Sequence, residues 1–284
     1  IADVVRKITR DFKSSGTVGT PIWLSPDRAC DIPVSFASPE LIEILPHGFV
    51  HAGEGVDVNV LSPANRRKKL LVADMDSTII GCECLDELAD MAHLKPQIAA
   101  ITEQAMNGEI AFEPALRERV TLLKGLALTA LERTYKERVK LNPGAKALVA
   151  TMKKHGARTC LVSGGFTYFT QRVAKDAGFD DNQANTLLDD GSRLTGEVKE
   201  PILGREAKLS ALKAEIDKLR IAPEESLAVG DGANDLSMIQ YAGLGVAYRA
   251  KPIVAEAAGA AIKYGDLRAL LYLQGYSDAD IVEG

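Results

Sequence analysis

Three short apolar runs, each ending abruptly in acidic or glycine-rich residues, constrain this chain most: LLVADMDST (70–78), TCLVSGG (159–165) and SLAVGDGAND (226–235). Apolar runs without polar alternation fit strands buried on both faces. Helical stretches separate them, among them NPGAKALVATMKKH (142–155), REAKLSALKAEIDKL (205–219) and NDLSMIQYA (234–242). Strands that alternate with helices predict an α/β fold, a doubly wound parallel sheet of Rossmann-like type. Such open sheets bind ligands beyond the carboxyl ends of their strands. The polar residues fall at those ends: Asp74 and Asp76, then Ser163-Gly164-Gly165, then Asp231, Asn234 and Asp235.

Other parts of the chain read differently. Residues 1–65 hold half of its prolines and close on the basic linker SPANRRKK (62–69). They read as a small α+β N-terminal module, with VDVNVL (56–61) as a strand. Residues 66–284 form the sheet domain. Within it, about 82–140 carry helical patterns and no strand, as an inserted helical cap would. Asn142 is a candidate cap and Pro143 a first-turn residue for the helix at 142–155. SGG reads as a turn, and NTLLDDGSRLTGEV (185–198) as a hairpin around Asp-Gly.

Composition narrows the function classes. At 46% hydrophobic and 26% charged residues, the chain has an ordinary globular balance. A net charge of −5 speaks against nucleic acid or a membrane surface as partner. No apolar run approaches the roughly 18 residues of a membrane span. Cys82 and Cys84 stand too close for an easy mutual disulfide, and no second pair completes a zinc site, so reduced cytoplasmic thiols are expected.

Asp74, Asp76 and Asp231 converging on one crevice would raise one another's pKa unless a cation sat among them. An all-oxygen donor set points to a hard ion, Mg²⁺, sharing an oxygen with a bound phosphate. The N–H groups of Ser163-Gly164-Gly165 can cradle that phosphate. A lysine would balance the remaining charge, but Lys199, Lys208, Lys213 and Lys218 all lie in reach of such a role.

DMDST, LVSGG, a helix-borne lysine and GDGAND, in this order and spacing, resemble the motifs of the haloacid-dehalogenase (HAD) superfamily. DMDSTIIGCE, ITEQAMNGEIAFEPALRERVTLLKGL, VSGGF and AVGDGANDLSMI are similar, more narrowly, to its phosphoserine phosphatase family over 69–275. The resemblance implies a Mg²⁺-dependent hydrolysis of O-phospho-L-serine to L-serine and phosphate, the last step of serine synthesis, in the cytoplasm. It makes Asp74 the nucleophile, forming an aspartyl-phosphate, and Asp76 the general acid and base. It assigns the metal to Asp74, the Asp76 carbonyl and Asp231, with Asp235 in support. Ser163, Gly164, Lys208 and Asn234 would hold the phosphoryl group, and only the family spacing selects Lys208 among the lysines.

For the cap, the resemblance assigns Glu83 to the substrate ammonium and Arg119 to its carboxylate. Met106 and Phe112 would be apolar lid residues. Helix geometry separates Arg119 modestly from Arg117: at about 100° per residue, they lie roughly 65° and 95° from the centre of the Leu116, Val120 and Leu123 face. A related expectation is a HAD phosphatase or phosphotransferase for another small phosphomonoester. Bacterial members often carry N-terminal extensions likened to ACT modules, so an ACT-like segment and a homodimer are further expectations for residues 1–65.

Overall fold

A computed structural model of the chain describes residues 2–12, 16–36, 55–106 and 109–284. Near the N-terminus, helix α1 (Ala2–Phe12) precedes four short strands that pair only in twos. Strand β1 (Gly16–Val18) runs antiparallel to β4 (Val34–Phe36), and β2 (Ile22–Ser25) to β3 (Ala29–Asp31). Asp31 ties this region to the sheet domain through a bidentate pair with Arg66, at 2.6 and 2.7 Å.

The main sheet has six strands, all parallel: β5 (Leu70–Ala73), β6 (Arg158–Phe166), β7 (Asp181–Asn185), β10 (Ser226–Gly230), β11 (Leu244–Tyr248) and β12 (Ala260–Ile262). Their spatial order is β12-β11-β10-β5-β6-β7, so β5 and β10 lie at the centre, where the chain reverses direction across the sheet. Ligand crevices form at such a switch point.

Alternate residues of each central strand face opposite apolar layers, and both sets are buried. Leu71, Ala73, Leu161, Leu227 and Val229 face one apolar layer with helices α6 (Ala145–Lys154) and α7 (Thr167–Ala177). Leu70, Val72, Cys160 and Ala228 face the other, with α8 (Arg205–Leu219) and α9 (Leu236–Tyr241). The helix α10 (Pro252–Ala257) joins the second layer through Val254, and α11 (Ala269–Leu273) joins the first through Leu270. Both faces of the sheet are covered, which is why its strands read as continuous apolar runs.

Between β5 and α6 the described residues make four α-helices and no strand: α2 (Cys84–Met91), α3 (Lys95–Met106), α4 (Phe112–Leu122) and α5 (Leu128–Arg138). A hairpin from the sheet domain, β8 (Leu187–Asp189) and β9 (Leu194–Val198), docks on the α4–α5 connection. Gly125 N donates to the Leu194 carbonyl at 2.8 Å, and Leu194 N donates to that of Leu126 at 2.9 Å.

Three local expectations are corrected. Residues 56–61 form no strand. Side chains do the pairing instead: the Asn59 amide exchanges two hydrogen bonds with the main chain of Ala261, at 2.8 and 3.1 Å. The Asp57 carboxylate accepts from the N–H groups of Lys263, Tyr264 and Gly265. The β12 edge is thus satisfied without backbone pairing.

Asn142 does not cap α6. Gly144 takes that position with φ +83°, and the Asn142 amide donates to the Thr78 carbonyl at 2.8 Å. Any Cβ at residue 144 would lie 2.6 Å from the Arg268 nitrogen, so only glycine allows this approach. Finally, SGG is not a turn. Strand β6 runs through it to Phe166, pairing there with Asn185.

Candidate active site

The crevice is built from the turn that follows β5. Asp74 extends the ladder by donating its N–H to the Val229 carbonyl at 3.0 Å. The chain then folds back, closed by Ile80 N on the Met75 carbonyl, with Ser77 in the left-handed region at φ +55°. This reversal turns two acids spaced by one residue toward different partners.

Asp74 is 4% exposed and faces Lys208 on α8, whose ammonium lies 2.7 Å from its Oδ1. The same ammonium lies 2.5 Å from Asp235 Oδ1. Asp76 points elsewhere: its Oδ1 accepts the Cys84 N–H at 2.9 Å, and its Oδ2 accepts the Ser163 hydroxyl at 3.1 Å. Ser163 Oγ in turn accepts the Gly165 N–H at 2.8 Å. A Cβ on Gly165 would come within 3.0 Å of both Asp76 Oδ2 and Ser163 Oγ, which explains the glycine.

The end of β10 supplies the third wall. Asp231 lies half-buried and accepts from the Thr78 hydroxyl at 3.4 Å. Asp235 is fully buried, its Oδ2 accepting the Gly232 N–H at 3.1 Å. A Cβ on Gly230 would stand 2.3 Å from the Asp235 carboxyl carbon, so this strand end admits no side chain. Asn234 is half-buried beside them.

Carboxyl oxygens of Asp74, Asp231 and Asp235 lie within 4.8 Å of one another. Burial, then the Asp235 charge, holds the Asp74 pKa well above the carboxylate range, despite Lys208. The same two causes push Asp231 up to about 6. For Lys208, burial opposes the charge, but Asp74 and Asp235 outweigh it and its pKa rises. One ammonium among three acids leaves a charge deficit that a hard cation fits, with oxygen donors only. The Asp76 carboxylate stands outside this cluster; Asp235 stands within it. Burial also raises the Asp76 pKa, against the hydrogen bonds from Cys84 and Ser163 that favour its ionised form.

On the cap side, Glu83 ends its loop at the start of α2 and accepts the Ser77 hydroxyl at 2.6 Å. It keeps contact with solvent in the cleft while protein crowds around it. Burial and then the Asp76 charge push its pKa up to about 7. Arg119 on α4 is half-buried, donating to the Ala115 carbonyl at 3.2 Å and, weakly, to Thr102 Oγ1 at 3.4 Å. Burial lowers its pKa, against the pull of Asp86 and Glu83. Arg117 is exposed and pairs with Glu200. The Phe112 ring approaches Gly164 and Gly204, so the start of α4 packs against both the end of β6 and the segment before α8. Met106 is the last residue of α3, and its side chain lies outside the described residues.

Two hydroxyls of the DMDST motif have partners that the sequence did not assign. Thr78 bonds Asp231 and Ser77 bonds Glu83, so adjacent hydroxyls of one turn serve the acidic cluster and the cap separately. Their position beside DMD was the available signal.

A family model of haloacid dehalogenase-like hydrolases matches residues 71–240. The chain belongs to this family. Within it, a phosphoserine phosphatase of Polaromonas sp. (strain JS666) is 46% identical over 226 residues, 77% of this chain and 96% of that protein. That match places the hydrolase with the phosphoserine phosphatase family. A solved phosphoserine phosphatase, described as a phospho-aspartyl intermediate analogue, shares 38% identity and a TM-score of 0.67, covering 72% of this chain and 98% of its own. A HAD family hydrolase of Salmonella enterica serovar Typhi aligns at a TM-score of 0.85 with 29% identity, over 98% of this chain and 94% of its own. No helix among the hydrolase's described residues is long and apolar enough to cross a membrane.

Proposed function

We propose that this hydrolase is a Mg²⁺-dependent phosphoserine phosphatase, converting O-phospho-L-serine to L-serine and phosphate in the last step of serine synthesis. The observation that carries the reading is one crevice holding Asp74 against Lys208, Asp76 against Ser163, and an acid and a base, Glu83 and Arg119, on the cap side. The relatives named phosphoserine phosphatase support it. In this reading 82–140 act as the cap, 1–65 as a separate module, and the protein works in the cytoplasm.

Asp74 attacks phosphorus in line, and the serine oxygen leaves from the opposite side. The bond to serine breaks as the bond to Asp74 Oδ forms, giving an aspartyl-phosphate and dividing one hard step into two. Asp76 gives its proton to the departing serine oxygen. It then takes one from the water that attacks phosphorus in the second step, as the bond to Asp74 Oδ breaks and phosphate leaves with the Asp74 carboxylate restored. Lys208, Ser163, the Gly164 N–H and Asn234 neutralise the transferring group, the largest share of what such catalysis needs. Asp74, the Asp76 carbonyl and Asp231 would hold Mg²⁺, which supplies charge neutralisation at the phosphoryl oxygens. Asp235 supports the cluster and orients Lys208. Glu83 faces the serine ammonium, Arg119 its carboxylate, and Phe112 closes the cleft against water.

Phosphate release from O-phospho-L-serine, with and without Mg²⁺, tests the proposal against a panel of other phosphomonoesters and alcohol acceptors. Metal-dependent turnover selective for phosphoserine is expected. Faster turnover of another ester, or transfer to an alcohol in place of water, would reassign the substrate.

A further inference from the structure

Asn185 holds a position that the mechanism above does not use. It is the last residue of β7, lies 2% exposed, and sits between the end of β6 and the segment that precedes α8. Its amide nitrogen donates to the Gly164 carbonyl at 2.9 Å and to the Leu203 carbonyl at 3.2 Å. Its amide oxygen accepts the Leu203 N–H at 2.7 Å. Both donors and one acceptor site of the amide are therefore spent on backbone, leaving one lone pair.

Two separate segments meet here. One is the Ser163-Gly164-Gly165 cradle at the end of β6. The other, Leu203-Gly204, leads directly into α8, which carries Lys208. The Phe112 ring rests over both, near enough that a Cβ at Gly164 would lie 3.4 Å from it and one at Gly204 3.8 Å. We infer that Asn185 is a positioning residue that clamps the phosphate cradle to the lysine-bearing loop, fixing the distance between the two halves of the phosphoryl site and the floor on which the cap closes. The inference rests on the proposed roles of Ser163, Gly164 and Lys208.

Only a planar amide of this length meets the need. Asn185→Asp keeps shape and the acceptor for Leu203 N–H but sets carboxyl oxygens against two carbonyls. Asn185→Ser retains one short donor. Misplacing a charge-stabilising group by about 1 Å can cost on the order of 10²-fold in rate.

The test is steady-state turnover of O-phospho-L-serine and of p-nitrophenyl phosphate by both variants, with the inhibition constant of orthovanadate and a thermal unfolding curve. Because the clamp acts on the phosphoryl site, kcat should fall about tenfold or more on both substrates alike, and vanadate affinity should fall with it. Folded variants whose kcat and vanadate inhibition stay within about twofold of the parent would reduce Asn185 to a structural residue. A loss confined to phosphoserine would overturn the clamp in favour of substrate selection. Should the variants not fold, hydrogen exchange of the parent decides: vanadate should protect the segment around Leu203 together with the cradle, and an unchanged Leu203 segment would sink the coupling. A parent enzyme that releases no phosphate from either ester would instead overturn the proposed function itself.

Discussion

The two sides of the crevice are built in different ways. On the sheet side, Asp74, Asp76, Ser163, Lys208 and Asp235 are each held by at least one partner, mostly near 3 Å or closer, and four of the five are nearly or fully buried. On the cap side, Glu83 has one hydroxyl partner, and Arg119 holds its own helix and a weak contact to Thr102. Chemistry that needs charges fixed to fractions of an ångström sits on strand ends. In the proposed reading, selection of the leaving group falls to the less tightly held residues on the helices.

This contrast can be broken by experiment, and Asp74→Asn should break most. Its kcat should fall by about 10³-fold or more on any phosphomonoester, since no nucleophile replaces it. Retained activity within about tenfold of the parent would remove Asp74 from the reaction. Arg119→Ala should act on the other side alone. We expect kcat/KM for O-phospho-L-serine to fall about 10²-fold, roughly 2–3 kcal/mol, with p-nitrophenyl phosphate little changed. Equal losses on both esters would place Arg119 with the core chemistry.

Gly230→Ala tests the rigidity of the sheet side directly. A methyl group there meets Asp235, so about 1–3 kcal/mol of stability should be lost in urea unfolding, with Lys208 displaced and activity reduced. Ser77→Gly preserves the left-handed turn but removes the hydroxyl on Glu83. The KM for phosphoserine should rise about 3–10-fold, equivalent to roughly 0.5–1.5 kcal/mol, and kcat should hardly move.

The smallest effect concerns pH. Burial and acidic neighbours raise Asp231 to about 6 and Glu83 to about 7, above their ordinary 3.8 and 4.5. A raised carboxyl pKa favours the folded chain below the unfolded value and loses that contribution as pH climbs through the folded one. Metal-free protein should therefore lose this contribution between about pH 4 and 7. Mg²⁺ should restore more at pH 8 than at pH 5.5, with a difference of about 3–6 °C in unfolding midpoint. An equal metal effect at both pH values would separate the acidic cluster from the ion.

Much of this molecule was legible before any coordinates. The strands LLVA and SLAVG are where their apolar runs lie, because burial on both faces leaves no polar position to blur them. Helix Arg205–Leu219 matches its pattern end to end. Local signals failed where a distant partner competed. Asn142 carries a cap residue's chemistry, yet Thr78 takes its amide, and Gly144 is forced by the nearby Arg268 backbone. The alternating pattern of 56–61 suits a strand, but Asn59 and Asp57 pair with β12 through side chains, which no local periodicity can encode.

Residue order alone set the parallel sheet, put the acids at its carboxyl edge and narrowed the family, since strand burial and motif spacing are local properties of a chain. Which partner each group meets is a property of distance in space. Folding alone turned Asp74 to Lys208 and Asp76 to Ser163, drew Asp235 into the acidic cluster, and put Asn185 between Gly164 and Leu203. Those contacts join residues tens to over a hundred positions apart, and only the packed sheet brings them within a hydrogen bond.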